Sequence, residues 1–139
     1  MNIEYTKNMN IITPDMLPNF FAGWPNPPSP DVHLQILQNS YRAFVAIDND
    51  CNRVVGFINA VSDGILSAYI PLLEVTKAYQ GRGIGSNLVK LMLSECKHLY
   101  MIDICHDEDL VPYYARFGAF KSQASVFRNY SAQSGGAIE

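Results

Sequence analysis

The chain has 139 residues, 48% of them hydrophobic, which is one domain's worth of sequence with enough apolar content to bury a core. A formal net charge of -3 supplies no basic face for nucleic acid, and three scattered cysteines, Cys51, Cys96 and Cys105, make no disulfide framework. No apolar stretch approaches the roughly 20 residues that span a bilayer, and the first residues lack a basic-then-apolar secretion signal, so a cytoplasmic protein without membrane contact is expected.

Asn2–Thr6 reads as a short strand. Thr13 as N-cap and Pro14 at the first helical position predict a helix to about Phe21. The prolines of Gly23–Pro30 predict a loop, after which Ser29 or Asp31 caps a helix to about Gln38. Tyr41–Ile47 and Arg53–Val61 are apolar and β-rich, and the turn residues Asp48–Asn52 between them predict a hairpin. Asp63–Gly64 turns the chain into a third long strand, Leu66–Val75. From Ile84 the apolar residues Leu88, Leu91, Met92 and Cys96 recur at helical spacing. Leu99–Ile104 predicts a strand parallel to its predecessor, Asp109–Phe117 a short helix and Phe120–Arg128 a final strand. Ser131–Glu139, small and polar, reads as a loose tail after a single domain over residues 1–130. A meander followed by a βαβ step predicts a mixed α/β sheet flanked by helices.

Between strand and helix lies Gln80–Gly85, QGRGIG. A glycine-rich turn at a helix N-terminus can aim several N–H groups at one anion, with the helix dipole in support. Arg82 adds a cation. A Walker A loop would need Lys and Ser/Thr after Gly85, where Ser86 and Asn87 stand, and a dinucleotide fingerprint would need Gly at position 86. The glycines alone leave two readings open: a phosphate cradle, or a β-to-α turn that binds nothing.

The longer string Leu73–Val89, LEVTKAYQGRGIGSNLV, resembles motif A of the GNAT superfamily of acetyl-CoA-dependent acetyltransferases. Gln80, Gly83 and Gly85 match its Gln/Arg-x-x-Gly-x-Gly/Ala pattern. The resemblance implies a mostly antiparallel central sheet, in which the strand ending at Val75 splays from the strand at Leu99. Pantetheine then lies in the gap beside Leu73 and Val75. The N–H groups of Gly81, Arg82, Gly83, Ile84, Gly85 and Ser86 hold the CoA pyrophosphate.

Leu110–Phe120, LVPYYARFGAF, resembles motif B of the same superfamily, in wording close to the arylalkylamine N-acetyltransferases. Tyr113 stands where Phe is usual, and Ala119 is inserted before Phe120. By position, Tyr114 corresponds to the family's tyrosine facing the thioester sulfur. A phenol suits that place, because it donates as charge develops on a departing thiolate. Asp107 stands where many members carry an Asn against pantetheine. Its acidic neighbourhood, His106–Asp109, reads either as an attraction for a cationic acceptor or as a solvated turn opening a helix.

An acceptor amine must lose a proton before it attacks. Glu74, a lone carboxylate in the apolar stretch YIPLLEV, is the candidate base, and its other reading is an outward-facing residue on a half-exposed strand. Tyr69 could orient a water. Trp24 either helps wall the acceptor pocket or covers the edge of the core. Cys105, His106 and Asp107 are consecutive and do not converge as a triad would. No Cys/His spacing resembles a zinc site, so no metal is expected. The chain therefore reads as an N-acetyltransferase of monomeric or homodimeric state that moves an acetyl group from acetyl-CoA to a small amine by direct attack. A non-catalytic CoA sensor and a ping-pong route through Cys105 are the alternatives.

Overall fold

The structure, a computed structural model, describes residues 1–136. The chain starts with strand β1 (Ile3–Thr6) and reaches helix α1 (Pro30–Asn39) through two single 3-10 turns, Met9–Ile11 and Pro14–Met16. The helix expected from Thr13 to Phe21 is thus corrected to one turn. Pro14 starts it, but Pro18 has no N–H to carry it on, and Asn19 and Phe21 sit at φ of 66° and 62°. Helix α1 begins where its signals place it, with Ser29 Oγ accepting the Val32 N–H at 3.2 Å.

Strands β2 (Arg42–Asp48), β3 (Arg53–Ser62) and β4 (Ser67–Val75) continue β1 as an antiparallel meander. Helix α2 (Ile84–Glu95) then crosses over, and β5 (Met101–Ile104) returns parallel to β4. Among the described residues, five strands form one sheet in chain order. Strands β2 and β3 are buried almost throughout because both faces are covered. Leu88, Val89 and Met92 of α2 pack with Ile58 and Ala60 on one side, and Leu37 of α1 with Phe57, Val45 and the N-terminal turns on the other. Helix α2 lies close because residue 56 is glycine: a Cβ there would stand 3.2 Å from both Ile84 Cγ2 and Leu88 Cδ1.

The site is set by what happens along β4. Its pairing with β5 ends at Ile70–Ile104, while its pairing with β3 runs on to Val75. Pro71, which has no N–H to give a neighbouring strand, falls at the parting point. Thr76 donates its N–H to Val55 O at 2.9 Å, so alternation along the strand turns the peptide groups of Val75 and Leu73 toward the vacated side.

Beyond β5, a 3-10 turn at Glu108–Leu110 leads into α3 (Val111–Ala115), within the span predicted for a short helix. The final strand predicted over Phe120–Arg128 does not form. Among the described residues, no backbone group from 120 to 128 bonds another backbone group. Gly118, at φ 93°, ends the helical run, and the Ala119 N–H turns back to Tyr114 O at 3.4 Å. In the predicted tail, Tyr130–Ala132 forms a 3-10 turn and Gln133 Oε1 accepts the Asn26 N–H at 2.9 Å, while residues 137–139 lie outside the described residues. Among the described residues, no helix is long and apolar enough to cross a membrane.

Candidate active site

The loop before α2 is held from both sides. Gln80 Nε2 donates to Val75 O at 2.9 Å, closing the turn. Tyr79 donates its hydroxyl to the buried carboxylate of Asp48, which also accepts the Asn2 N–H at 3.2 Å and the Asp50 N–H at 3.0 Å. These donors, Tyr79 first, hold Asp48 below the usual carboxylate range, and the same bond pushes the Tyr79 phenol up to about 12. The loop that follows is therefore pinned to the β2–β3 hairpin before it enters the cradle.

In the cradle, Gly81 and Gly83 take φ of 77° and 83°, and a Cβ at either position would meet nothing within 4 Å. Gly83 caps α2, and Asn87 is the first residue to bond back, to Gly83 O at 3.0 Å. Among the described residues, the N–H groups of Gly81, Arg82, Gly83, Ile84, Gly85 and Ser86 have no protein acceptor outside α2 itself. The Ile84 side chain is buried in the core, so only its peptide group faces this opening. Arg82 reaches over the Tyr79 ring, 5.8 Å from its centroid.

A cleft of about 500 Å³ opens where β4 and β5 part, lined by Pro71, Leu72, Leu73 and Glu74 of β4, Ile104–Asp107 after β5, Leu110, Tyr114, Phe57 and Trp24. Tyr114, only 8% exposed, is bound to its neighbours by ring contacts: Tyr113 meets it edge-on at 5.0 Å, and the His106 ring stacks on it at 4.6 Å. Burial above all, with the Tyr113 phenol adding, pushes Tyr114 up to about 12. Tyr113 Oη lies 3.2 Å from Ser86 Oγ, which ties α3 to the first turn of α2 and so fixes Tyr114 relative to the cradle. His106 donates from Nδ1 to Asp107 O at 2.7 Å when neutral, which leaves Nε2 as the bare nitrogen.

Glu74 sits between the cleft and a neighbouring cavity of about 570 Å³ that runs under the loop 76–80 and does not reach Tyr114. Its carboxylate is already engaged: Oε1 accepts the Phe21 N–H at 2.8 Å and Oε2 the Ala22 N–H at 3.3 Å. Those bonds hold the left-handed turn at Phe21, whose ring packs against Trp24 at 5.0 Å. Glu74 and Trp24, expected on the acceptor side, and Leu73, Asp107 and Tyr114, expected on the donor side, thus line one cleft. Val75 lines the adjoining cavity. Tyr69 is not among the residues lining the cleft; it lies beside Cys105, whose thiol is the first cause of its raised pKa.

The sequence pattern of the acetyltransferase (GNAT) family matches residues 9–119. The chain belongs to the GNAT acetyltransferase family. The chain is 25% identical over 127 residues to an uncharacterized N-acetyltransferase, ycf52, of Porphyra purpurea, covering 89% of this chain and 72% of that one. A candidate acetyltransferase of Deinococcus radiodurans R1 superposes with a TM-score of 0.94 at 41% identity, over 99% of this chain and 95% of its own. A GNAT family protein of Streptococcus pneumoniae TIGR4 gives 0.73 at 30% identity, over 91% and 98%.

This GNAT chain carries two site features that sequence reasoning passed over. One is the Asp48–Tyr79 bond, whose signal was present: a carboxylate directly after the apolar stretch Tyr41–Ile47 is as anomalous as Glu74 in β4. The other is His106, set aside with its neighbours because consecutive residues do not form a triad. The structure brings it to Tyr114 by stacking, which adjacency in sequence does not report.

Proposed function

We propose that residues 1–130 form a single cytoplasmic acyltransferase domain that moves an acetyl group from acetyl-CoA to a primary amine. The observation that carries this reading is that Tyr114 lines a cleft that begins where β4 leaves β5, on a helix tied to an open cradle of N–H groups. The cradle fits a pyrophosphate, since its donors are free of competing acceptors and the space over positions 81 and 83 is empty. Acetyl-CoA, when bound, supplies a thioester carbonyl open to attack and a thiol as leaving group.

The chain's own residues then have defined tasks. Val75 and Leu73 turn peptide groups into the gap, and their N–H groups can hold the thioester arm and polarise its carbonyl. The cleft is lined by the carboxylates Glu74 and Asp107 and by no Lys or Arg, which favours a protonated amine as the acceptor. Glu74 keeps lone pairs beyond those given to Phe21 and Ala22, and takes the amine proton through water. His106 Nε2, on the opposite wall, is the second group able to take it. Tyr114 donates to the sulfur as charge develops there.

Thiol release from acetyl-CoA over a panel of small aromatic, aliphatic and polyamine acceptors tests the reading. Amine-dependent release establishes transfer. A thermal shift with acetyl-CoA but no release with any amine would leave the non-catalytic sensor. An acyl adduct on Cys105 with acetyl-CoA alone would replace direct attack with a ping-pong route.

A further inference from the structure

Glu74 stands between two spaces of opposite character. The cleft that reaches Tyr114 is lined by the carboxylates Glu74 and Asp107, whereas the cavity of about 570 Å³ on the other side of Glu74 is lined by two cations, Arg53 and Lys77. That volume lies within the range of small-molecule sites, roughly 300–1,000 Å³. Pro18, Ala22, Val54 and Ala78 give the cavity apolar walls. Among the described residues, the ion pairs involve neither Arg53 nor Lys77. Asp48 is the cross-strand partner of Arg53, but its carboxylate is buried and taken up by Tyr79 and by the Asn2 and Asp50 N–H groups. Both cations stand on fixed backbone. Arg53 opens β3, and Lys77 follows Thr76, whose N–H bonds Val55 O at 2.9 Å on the same strand.

We propose that the acceptor is an amine carrying its own anionic group, a carboxylate or a phosphate, on an apolar spacer. Its ammonium lies at Glu74, where the two spaces meet, and its anion lies with Arg53 and Lys77. This assignment rests on the acetyl-transfer reading given above and names the substrate class of that site. Two cations without carboxylate partners on one cavity favour an anion, and the guanidinium fork of Arg53 matches carboxylate or phosphate oxygens in pairs. Opposite charges at the two ends of the space also fix direction: a dipolar acceptor fits with its nitrogen at the base and not the reverse. A polyamine would instead bring a second ammonium against Arg53 and Lys77. The anion takes no part in the chemistry, which turns an ammonium and a thioester into an amide, a thiol and one released proton.

The test compares kcat/KM for ω-aminocarboxylates and ω-aminoalkyl phosphates of increasing length with that for n-alkylamines and diamines of equal length, by thiol release from acetyl-CoA. The expected result is a preference of about tenfold or more for one anionic series at its best length; which series leads tells carboxylate from phosphate. In Arg53→Glu/Lys77→Glu, changed only at exposed positions and checked by far-UV circular dichroism, the preference should pass to the diamine. Transfer without preference for either anionic series, or a preference that survives in the double variant, would overturn the proposal. Thiol release with no acceptor at all would defeat the transfer reading instead, and the cavity is then judged by binding. A thermal shift given by the anionic amines, absent with the alkylamines and lost in the variant, would uphold the anion site, and no shift would overturn it.

Discussion

Replacing Tyr114 with Phe removes a single oxygen from a buried ring and leaves the stacking against His106 and Tyr113 in place. The change therefore isolates the hydroxyl. An ordinary thiol titrates near 8.5, and Tyr114 is pushed up to about 12. Full proton transfer from this phenol to a departing thiolate is then uphill by about 3.5 pKa units, or about 5 kcal/mol. The hydroxyl is better suited to sharing its proton than to giving it up. A hydrogen bond to a charged group contributes about 1.5–3 kcal/mol, so Tyr114→Phe should lower kcat by roughly 10- to 150-fold. The KM for acetyl-CoA should stay within about threefold, because the cradle is untouched. The assay is thiol release at saturating acceptor, run at several pH values. Since Tyr114, pushed up to about 12, stays protonated through the neutral and mildly basic range, the pH–rate curves of the two proteins should run parallel there. A kcat within twofold of the original, a loss confined to KM, or a basic limb that disappears with the hydroxyl would each refute this account of Tyr114.

Glu74→Gln keeps one acceptor for the Phe21 and Ala22 N–H groups and loses the charge, so it should raise the acceptor KM and depress kcat most at low pH; a change in KM with an unaltered pH profile would leave Glu74 as an anchor and move the proton to His106. Gly83→Ala places a Cβ in open space but at φ 83°, which costs about 1–2 kcal/mol of stability and should shrink the thermal shift given by acetyl-CoA; an unchanged shift would argue against the cradle. His33 is buried among Phe20, Phe21 and Phe57 with neither ring nitrogen bonded among the described residues, and desolvation lowers it to about 4. The unfolded chain binds more protons than the folded one between that value and the ordinary 6.5, so stability present above about pH 6.5 should be lost as pH falls toward 4, by about 3 kcal/mol in all. His33→Phe should flatten that dependence in denaturant titrations; if the slope survives, another group causes it.

The turn proposed to hold the donor was legible as a fold element because it is local. The cradle is one strand-to-helix turn whose chemistry lies in peptide groups and in glycines that adopt positive φ, and both are written in Gln80–Gly85 itself. The short helix that carries Tyr114 was legible through a second short motif. The expected helix at Thr13–Phe21 failed because its N-terminal signals were read without weighing Pro18, and because the positive φ of Phe21 is held by Glu74, 53 positions away. The final strand failed for a related reason. Its residues have β composition, but a strand exists only through a partner, and composition does not say where the partner is.

That long-range hold makes the acceptor side of the cleft dependent on the proposed chemistry. Trp24 reaches the cleft on a loop whose turn at Phe21 departs from the backbone that a non-glycine residue prefers. The two bonds from Glu74 compensate for that departure, and the same residue lines the cleft. A change of acceptor therefore cannot be made at Trp24 in isolation. If the loop carries the acceptor's shape and Glu74 carries its proton, then Trp24→Ala should alter the order of preference among amines while leaving the pH profile alone, whereas Glu74→Gln should alter both. Independent responses of the two readouts to Glu74→Gln would separate the anchor from the base.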